Sequence, residues 1–295
     1  MKKQIIKIGQ LNIPRLEIGQ GKPKILITAG IHGDEHSQQL VIKKLLKKLK
    51  DKLPITTVIL PKLNPLGLKK NCEKNPIDNL NINRVFPGSP NSKYSSKRIA
   101  SMILQEAKRS SIIIDLHNFS DPALPQTIFL NRGSQKLKQK NLKLCKLIDI
   151  PLVWKINPAD KSILDVSKTQ IFHTIKMGIP SVVIELPPIN KLTQKQINQT
   201  VNGIINLINN LINKKINIKN KNLIFIRRDI KAMHEGIFKT KIKLGETIKK
   251  NSFLGEINNK KIVSPVAGYV IRLKENGRVN KKELLISIAK DKKAL

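Results

Sequence analysis

The chain has 295 residues, 40% hydrophobic but only 3% aromatic, enough for one large and one small domain with cores built mainly from Ile, Leu and Val. Its net charge of +36 raises nucleic-acid binding, but the lysines are spread along the whole chain beside an excess of Ile and Asn. Those three residues share A/T-rich codons, and aromatics for base stacking are scarce, so most of the charge reads as solvated surface that can also attract anionic substrates.

Two cysteines, Cys72 and Cys145, rule out a disulfide framework and fit a reducing cytoplasm. The basic start "MKKQIIKIGQLNIPRLEIG" lacks the continuous apolar block of a signal peptide, and no segment approaches the roughly 18–20 apolar residues of a membrane span. The expectation is a cytoplasmic protein with neither a nucleic-acid nor a membrane partner. Its oligomeric state is left open.

In chain order, "KILITAG" (24–30) reads as a buried strand, and "QQLVIKKLLKKLKDK" (38–52) as an amphipathic helix with Val41, Leu45 and Leu49 on one stripe. Such a basic helix can lie on a membrane or a partner; covering a sheet is the preferred reading. Between them stands "GIHGDE" (30–35). His32 and Glu35, three residues apart, can reach one divalent cation from a single turn, although the spacing alone is common by chance. "ITTVILPKLNP" (55–65) is a second strand running into a loop. In "NPIDNLNINRVFPG" (75–88), Asn83 and Arg84 offer an amide and a guanidinium fork suited to a carboxylate, with Pro87-Gly88 fixing the turn. Alone, that pair also reads as a surface Arg with a polar neighbour.

A helix is expected near 95–109, then the strand "SIIIDLHN" (111–118), a helix near 134–148, the strand "SVVIELPP" (181–188) and a helix near 193–213. This alternation predicts an α/β fold, a mixed central sheet with helices on both faces. Ligands gather at the carboxyl ends of strands in such sheets, where His32, Glu35 and His117 all fall. Two His and one Glu leave a fourth position free for water, as catalytic zinc requires. Asp115, two residues before His117 on the same strand face, reads as a partner for that ring, a pocket acid or a structural group. Glu185 closes a buried strand, where a carboxylate is costly without a task or partner. It can serve as general base and then general acid beside a metal, or simply anchor a loop. Asp34 and His36 are given no role.

The composition changes after about residue 213. "NKKINIKNKN" (213–222) reads as a linker, and short glycine-broken strands follow. The expected domains are 1–215, catalytic, and 223–295, a small all-β sandwich or barrel-like unit. The stretch 242–273 is similar to half of a biotinyl- or lipoyl-carrier sandwich, with Lys260 and Lys261 near a hairpin tip. Its "NNKKI" lacks the Met-Lys-Met-like or acidic context that attachment needs, so the unit reads as structural or pocket-closing.

Taken together, "GIHGDE", "NPLG", "NINRVFPG", "DLH" and "PSVVIEL", in that order over residues 20–190, resemble the succinylglutamate desuccinylase/aspartoacylase family, a branch of the zinc carboxypeptidase-like folds. "VSPVAGYV" is similar to the tail of its predicted-deacylase branch. The resemblance implies an eight-stranded mixed sheet, one Zn2+ per chain held by His32, Glu35 and His117, and hydrolysis of an N-acyl amide on an amino acid or similar small molecule. It makes Glu185 the base and gives Asn83 and Arg84 the substrate carboxylate. Two departures stand out. The family has an Asp where this chain has Asn81. It has an Arg, expected to polarise the scissile carbonyl, where this chain has Glu73; Lys69, Lys70 or Lys74 could replace it only as a point charge. The alternatives are a metallocarboxypeptidase acting on peptide C-termini, and a zinc-binding protein that has lost turnover.

Overall fold

The structure is a computed structural model that describes residues 1–49, 52–159, 165–213, 218 and 222–291. An N-terminal hairpin, β1 (Lys2–Ile8) and β2 (Leu11–Ile18), precedes the alternating part. That part comprises β3 (Lys24–Thr28), α1 (Ser37–Lys48), β4 (Thr56–Leu60), α2 (Pro65–Lys70), α3 (Ser95–Lys108), β5 (Ile112–Asn118), β6 (Gln126–Leu130), α4 (Gln135–Ile148), β7 (Leu152–Ile156), α5 (Gln170–Lys176), β8 (Ser181–Leu186) and α6 (Gln194–Asn213). The C-terminal part is all strand: β9 (Leu223–Lys231), β10 (Gly236–Thr240), β11 (Thr247–Ile248), β12 (Phe253–Ile257), β13 (Lys260–Val263), β14 (Gly268–Leu273), β15 (Gly277–Val279) and β16 (Leu284–Asp291).

One sheet runs in the order β1-β2-β4-β3-β5-β8-β6-β7-β9-β16-β14-β11, and a second in the order β13-β12-β10-β15. The first eight strands of the large sheet match the expected eight-stranded mixed core. β3, β4, β5 and β8 are parallel, and β6 enters antiparallel to β8. β9 then pairs parallel with β7, Leu152 opposite Leu223 and Trp154 opposite Phe225, so the large sheet continues across the expected domain boundary. Most of the expected linker, 213–222, lies outside the described residues, as do Lys50 and Asp51 at the end of the first predicted helix.

The strands are buried on both faces, which is why they read as apolar runs. On one face the α1 residues Val41 and Leu45 and the α6 residues Val201, Ile204 and Leu207 pack on Ile27, Ile114 and Ile184. On the other, Ile99 and Ile103 of α3 meet Leu26, Val58 and Ile113, and Ile171 and Ile175 of α5 meet Ile128, Trp154 and Val183. The core is aliphatic, as the composition dictates. At the β12–β13 tip, Asn258 and Asn259 take positive φ (47° and 65°), a conformation Asn tolerates, and Lys260 and Lys261 follow directly. No helix among the described residues is long and apolar enough to cross a membrane.

Candidate active site

The register of the parallel strands sets the site. Asp115 and His117 are two apart on β5 and therefore share a face, and His117 pairs directly with Glu185 of β8. The loop after β3 comes to the same end because α1 is fastened there. The Ser37 N–H donates to Asn118 Oδ1 (3.1 Å) and the Ser37 hydroxyl to the Pro187 carbonyl (2.6 Å). Gly33 lets this loop lie against the end of α2, since a Cβ there would stand 2.1 Å from the Gly67 carbonyl carbon and 2.5 Å from the Cys72 oxygen.

His32, Glu35 and His117 are brought together as expected. One ligand atom from each lies within 4.8 Å of the others, and all three residues are buried. His32 Nδ1 is 2.7 Å from Glu35 Oε1, and His117 Nδ1 is 3.2 Å from Glu35 Oε2. Glu35 Oε2 also accepts from Gln38 Nε2 (2.9 Å) and from the Asn118 N–H (3.1 Å), which fixes the carboxylate. Asp115 Oδ2 lies 3.1 Å from His117 Nε2, while its Oδ1 accepts from the Thr28 hydroxyl (2.7 Å), itself bonded by Gln170 Nε2 (2.7 Å). This carboxylate fixes the ring so that Nδ1 faces the cluster. Burial opposes charge on Glu35, but His117 and His32 outweigh it and hold the carboxyl down to about 2.

A cavity of about 400 Å³ opens beside the cluster. Glu185 lines it and has no hydrogen-bond partner among the described residues; burial pushes its carboxyl up to about 7, with His117 opposing and Glu35 adding to the rise. Asn83 and Arg84 lie in a short 3-10 turn (Ile82–Arg84) that also borders the cavity. Asn83 Oδ1 accepts the Gln170 N–H (2.9 Å), so its Nδ2 is the group left to donate to a ligand. Arg84 Nη1 donates to the Asn83 carbonyl (2.8 Å), and the rest of the fork has no hydrogen bond among the described residues. The turn is closed by Gly88 at φ +71°, whose N–H bonds the Val85 carbonyl (2.9 Å).

Glu73 also borders the cavity, whereas Lys69, Lys70 and Lys74 do not; no lysine among the described residues does. Three groups were not singled out by sequence reasoning. Trp154 lies in the wall with Arg227 stacked 3.7 Å from its ring centroid, and Arg227 pairs with Asp229 at 2.9 Å. Arg272 borders the cavity from β14 and is held by Asp121 at 2.6 Å. Two arginines among 56 basic residues carry no sequence signal; the C-terminal strands reach this wall through the β7–β9 pairing and through residues 122–124, where the Leu124 N–H bonds the Ile271 carbonyl (2.9 Å) and the Leu273 N–H the Pro122 carbonyl (3.0 Å).

A mixed sheet with a buried His–Glu–His cluster at its strand ends puts the chain in the class of metallocarboxypeptidase-like folds. The metallo-carboxypeptidase of Burkholderia cenocepacia superposes with a TM-score of 0.57 over 72% of this chain and 65% of that one, at 15% identity. Within that class, residues 21–211 match the succinylglutamate desuccinylase/aspartoacylase catalytic domain, and the chain belongs to that family. The family structure from Rhodobacter sphaeroides matches with a TM-score of 0.83 at 19% identity, covering 95% of this chain and 89% of that one. The product-bound ectoine utilization protein EutE (DoeB) of Ruegeria pomeroyi matches with 0.82 at 18%, over the same shares. A relative from Halomonas elongata, an N-alpha-acetyl-L-2,4-diaminobutyric acid deacetylase, is 29% identical over 112 residues; the match spans 37% of this chain and about a third (33%) of that protein.

Proposed function

We propose that the chain is a zinc-dependent deacylase that cleaves the amide of an N-acyl amino acid or a similar small molecule. The observation that carries this reading is the placement of Glu185, with no hydrogen-bond partner among the described residues, directly across the strand pair from His117 in a cavity whose other border offers Asn83 and Arg84. Two imidazole nitrogens and one carboxylate, buried and open on one side, fit Zn2+ with a coordination place to spare. When bound, the metal supplies Lewis acidity toward the scissile carbonyl and the attacking water.

The chain's own residues then do the rest. Arg84 and the Asn83 amide hold the substrate carboxylate by two points. Glu185 takes the proton from the attacking water and returns it to the departing amine; burial raises its carboxyl, which favours holding that proton between the two transfers, and a bound cation would oppose the rise. Residues 223–295 supply part of the cavity wall through Arg227 and Arg272, with 1–215 carrying the chemistry. The deacetylase relative, with its N-acetyl amino acid substrate, supports the substrate class.

The test is metal analysis of the purified chain combined with a panel of N-acetyl and N-succinyl amino acids and short peptides. One zinc per chain and turnover confined to N-acyl amino acids are expected. Turnover of peptides alone would make it a carboxypeptidase, and zinc without turnover a binding protein. The kcat/KM profile is expected to fall as the pH drops through about 7 or below, because Glu185 must be ionised to accept a proton and the metal's charge pulls its pKa down. A profile flat from pH 5 to 8 would remove Glu185 as base.

A further inference from the structure

Asn81 and Glu73 are the two positions where the chain departs from the family pattern, and the structure puts them in contact: Asn81 Nδ2 donates to Glu73 Oε1 at 2.7 Å. We propose that Glu73 is a positioning residue for the metal ligand His32, acting through Asn81. The proposal rests on the metal reading of the His32–Glu35–His117 cluster.

The hydrogen bonds fix every orientation in the chain of contacts. The Asn83 N–H reaches the Asn81 side chain at 2.8 Å. A backbone N–H only donates, so the atom it meets is the oxygen Oδ1 and the amide cannot be flipped. The same Oδ1 lies 3.2 Å from His32 Nε2. Its second lone pair therefore takes a proton from Nε2, and His32 turns the lone pair of Nδ1 to the cluster, beside Glu35. With Oδ1 saturated, the Nδ2 protons of Asn81 need an acceptor on the outer side, and Glu73 provides it. Glu73 is also tied by its backbone to the loop that carries the ligands, since its carbonyl accepts the Gly33 N–H at 3.4 Å.

With an Asp at position 81 a carboxylate would accept directly from the His ring, and an Arg at position 73 would present donors to that carboxylate where Glu73 presents an acceptor. Here the acceptor on the ring is a neutral amide, and the carboxylate stands one residue further out. The two departures thus form one exchange of donor and acceptor. An Arg at position 73 alone would set donors against the donors of Asn81 Nδ2, pushing Asn81 off the ring. From the sequence, restoring that Arg promises a better oxyanion site; from the contacts, it disturbs a metal ligand.

The experiment measures zinc affinity of the full-length chain by competition with a chelator, for native protein, Glu73→Gln, Glu73→Arg, Asn81→Asp and the double variant Glu73→Arg with Asn81→Asp. Glu73→Gln keeps an acceptor and is expected to stay within about twofold of native. Glu73→Arg is expected to weaken zinc binding by about tenfold, the lower range for outer partners of metal ligands. The double variant again sets a donor against an acceptor across the 73–81 contact and is expected to recover most of that loss, a non-additivity that marks the two residues as one unit. Because Glu73 is exposed, the zinc-free unfolding midpoint of Glu73→Arg should stay within about 2 °C of native, which separates positioning from general damage. Equal zinc affinity of Glu73→Arg and native, a rise in its kcat/KM, or simple addition in the double variant would overturn the proposal. Native protein that binds no zinc would overturn both this and the metal reading. Native protein that binds zinc but hydrolyses no N-acyl amino acid would sink the deacylase reading and leave the relay standing.

Discussion

Glu185→Gln is expected to lower kcat by about 10²- to 10⁴-fold with KM little changed, the range a general acid–base group contributes. The amide keeps the shape of the side chain but can neither take a proton from water nor give one to an amine. The same change should make the metal-free chain more stable at pH 8. Burial raises the Glu185 carboxyl from 4.5 to about 7, so the folded chain holds that proton more tightly than the unfolded chain. Folding stability is therefore lost as the pH rises through that interval, and Gln escapes the loss. At about 1.4 kcal/mol per pH unit the gain is at most about 3.5 kcal/mol, reduced by water in the open cavity. Steady-state kinetics with thermal unfolding of the metal-free chain at pH 5 and pH 8 measures both effects. A variant that is less stable at pH 8, with activity intact, would make Glu185 a structural group.

His117→Ala should act in the opposite sense on stability. It removes a metal donor, so zinc affinity is expected to fall by more than about 100-fold, beyond what outer partners cost, and hydrolysis with it. It also strips Asp115 and Glu35 of the ring between them. Both carboxylates are buried, and leaving them uncompensated should destabilise the metal-free chain by about 3 kcal/mol. Denaturant unfolding with excess chelator reads the stability term; zinc competition reads the affinity. A zinc Kd within about twofold of native would remove His117 from the ligand set.

How much of this was legible in the sequence differs by element. The runs at 24–30, 111–118 and 181–188 became β3, β5 and β8 because buried parallel strands need apolar residues on both faces, and helices α3, α4 and α6 follow their apolar stripes. The His32–Glu35–His117 cluster could be read because its members stand where strands end. Not read as elements were β6 and β7, and α5, whose Thr169 cap on the Phe172 N–H is its main local signal. The contact between Glu73 and Asn81 was invisible because an eight-residue separation in a loop implies no geometry. The site roles themselves rest on chemistry and on family resemblance, and the variants above decide them.

The pairing of β7 with β9 has a practical corollary for anyone shortening this protein. The family match ends at residue 211, yet β7 takes its second neighbour from residues 223–225. A fragment stopped at the match would bare the backbone of Leu152–Trp154 as an open sticky border, ready to recruit another chain. It would also drop Arg227 off the face of Trp154. The smallest piece worth expressing therefore runs past the recognised domain to the end of β16, at Asp291.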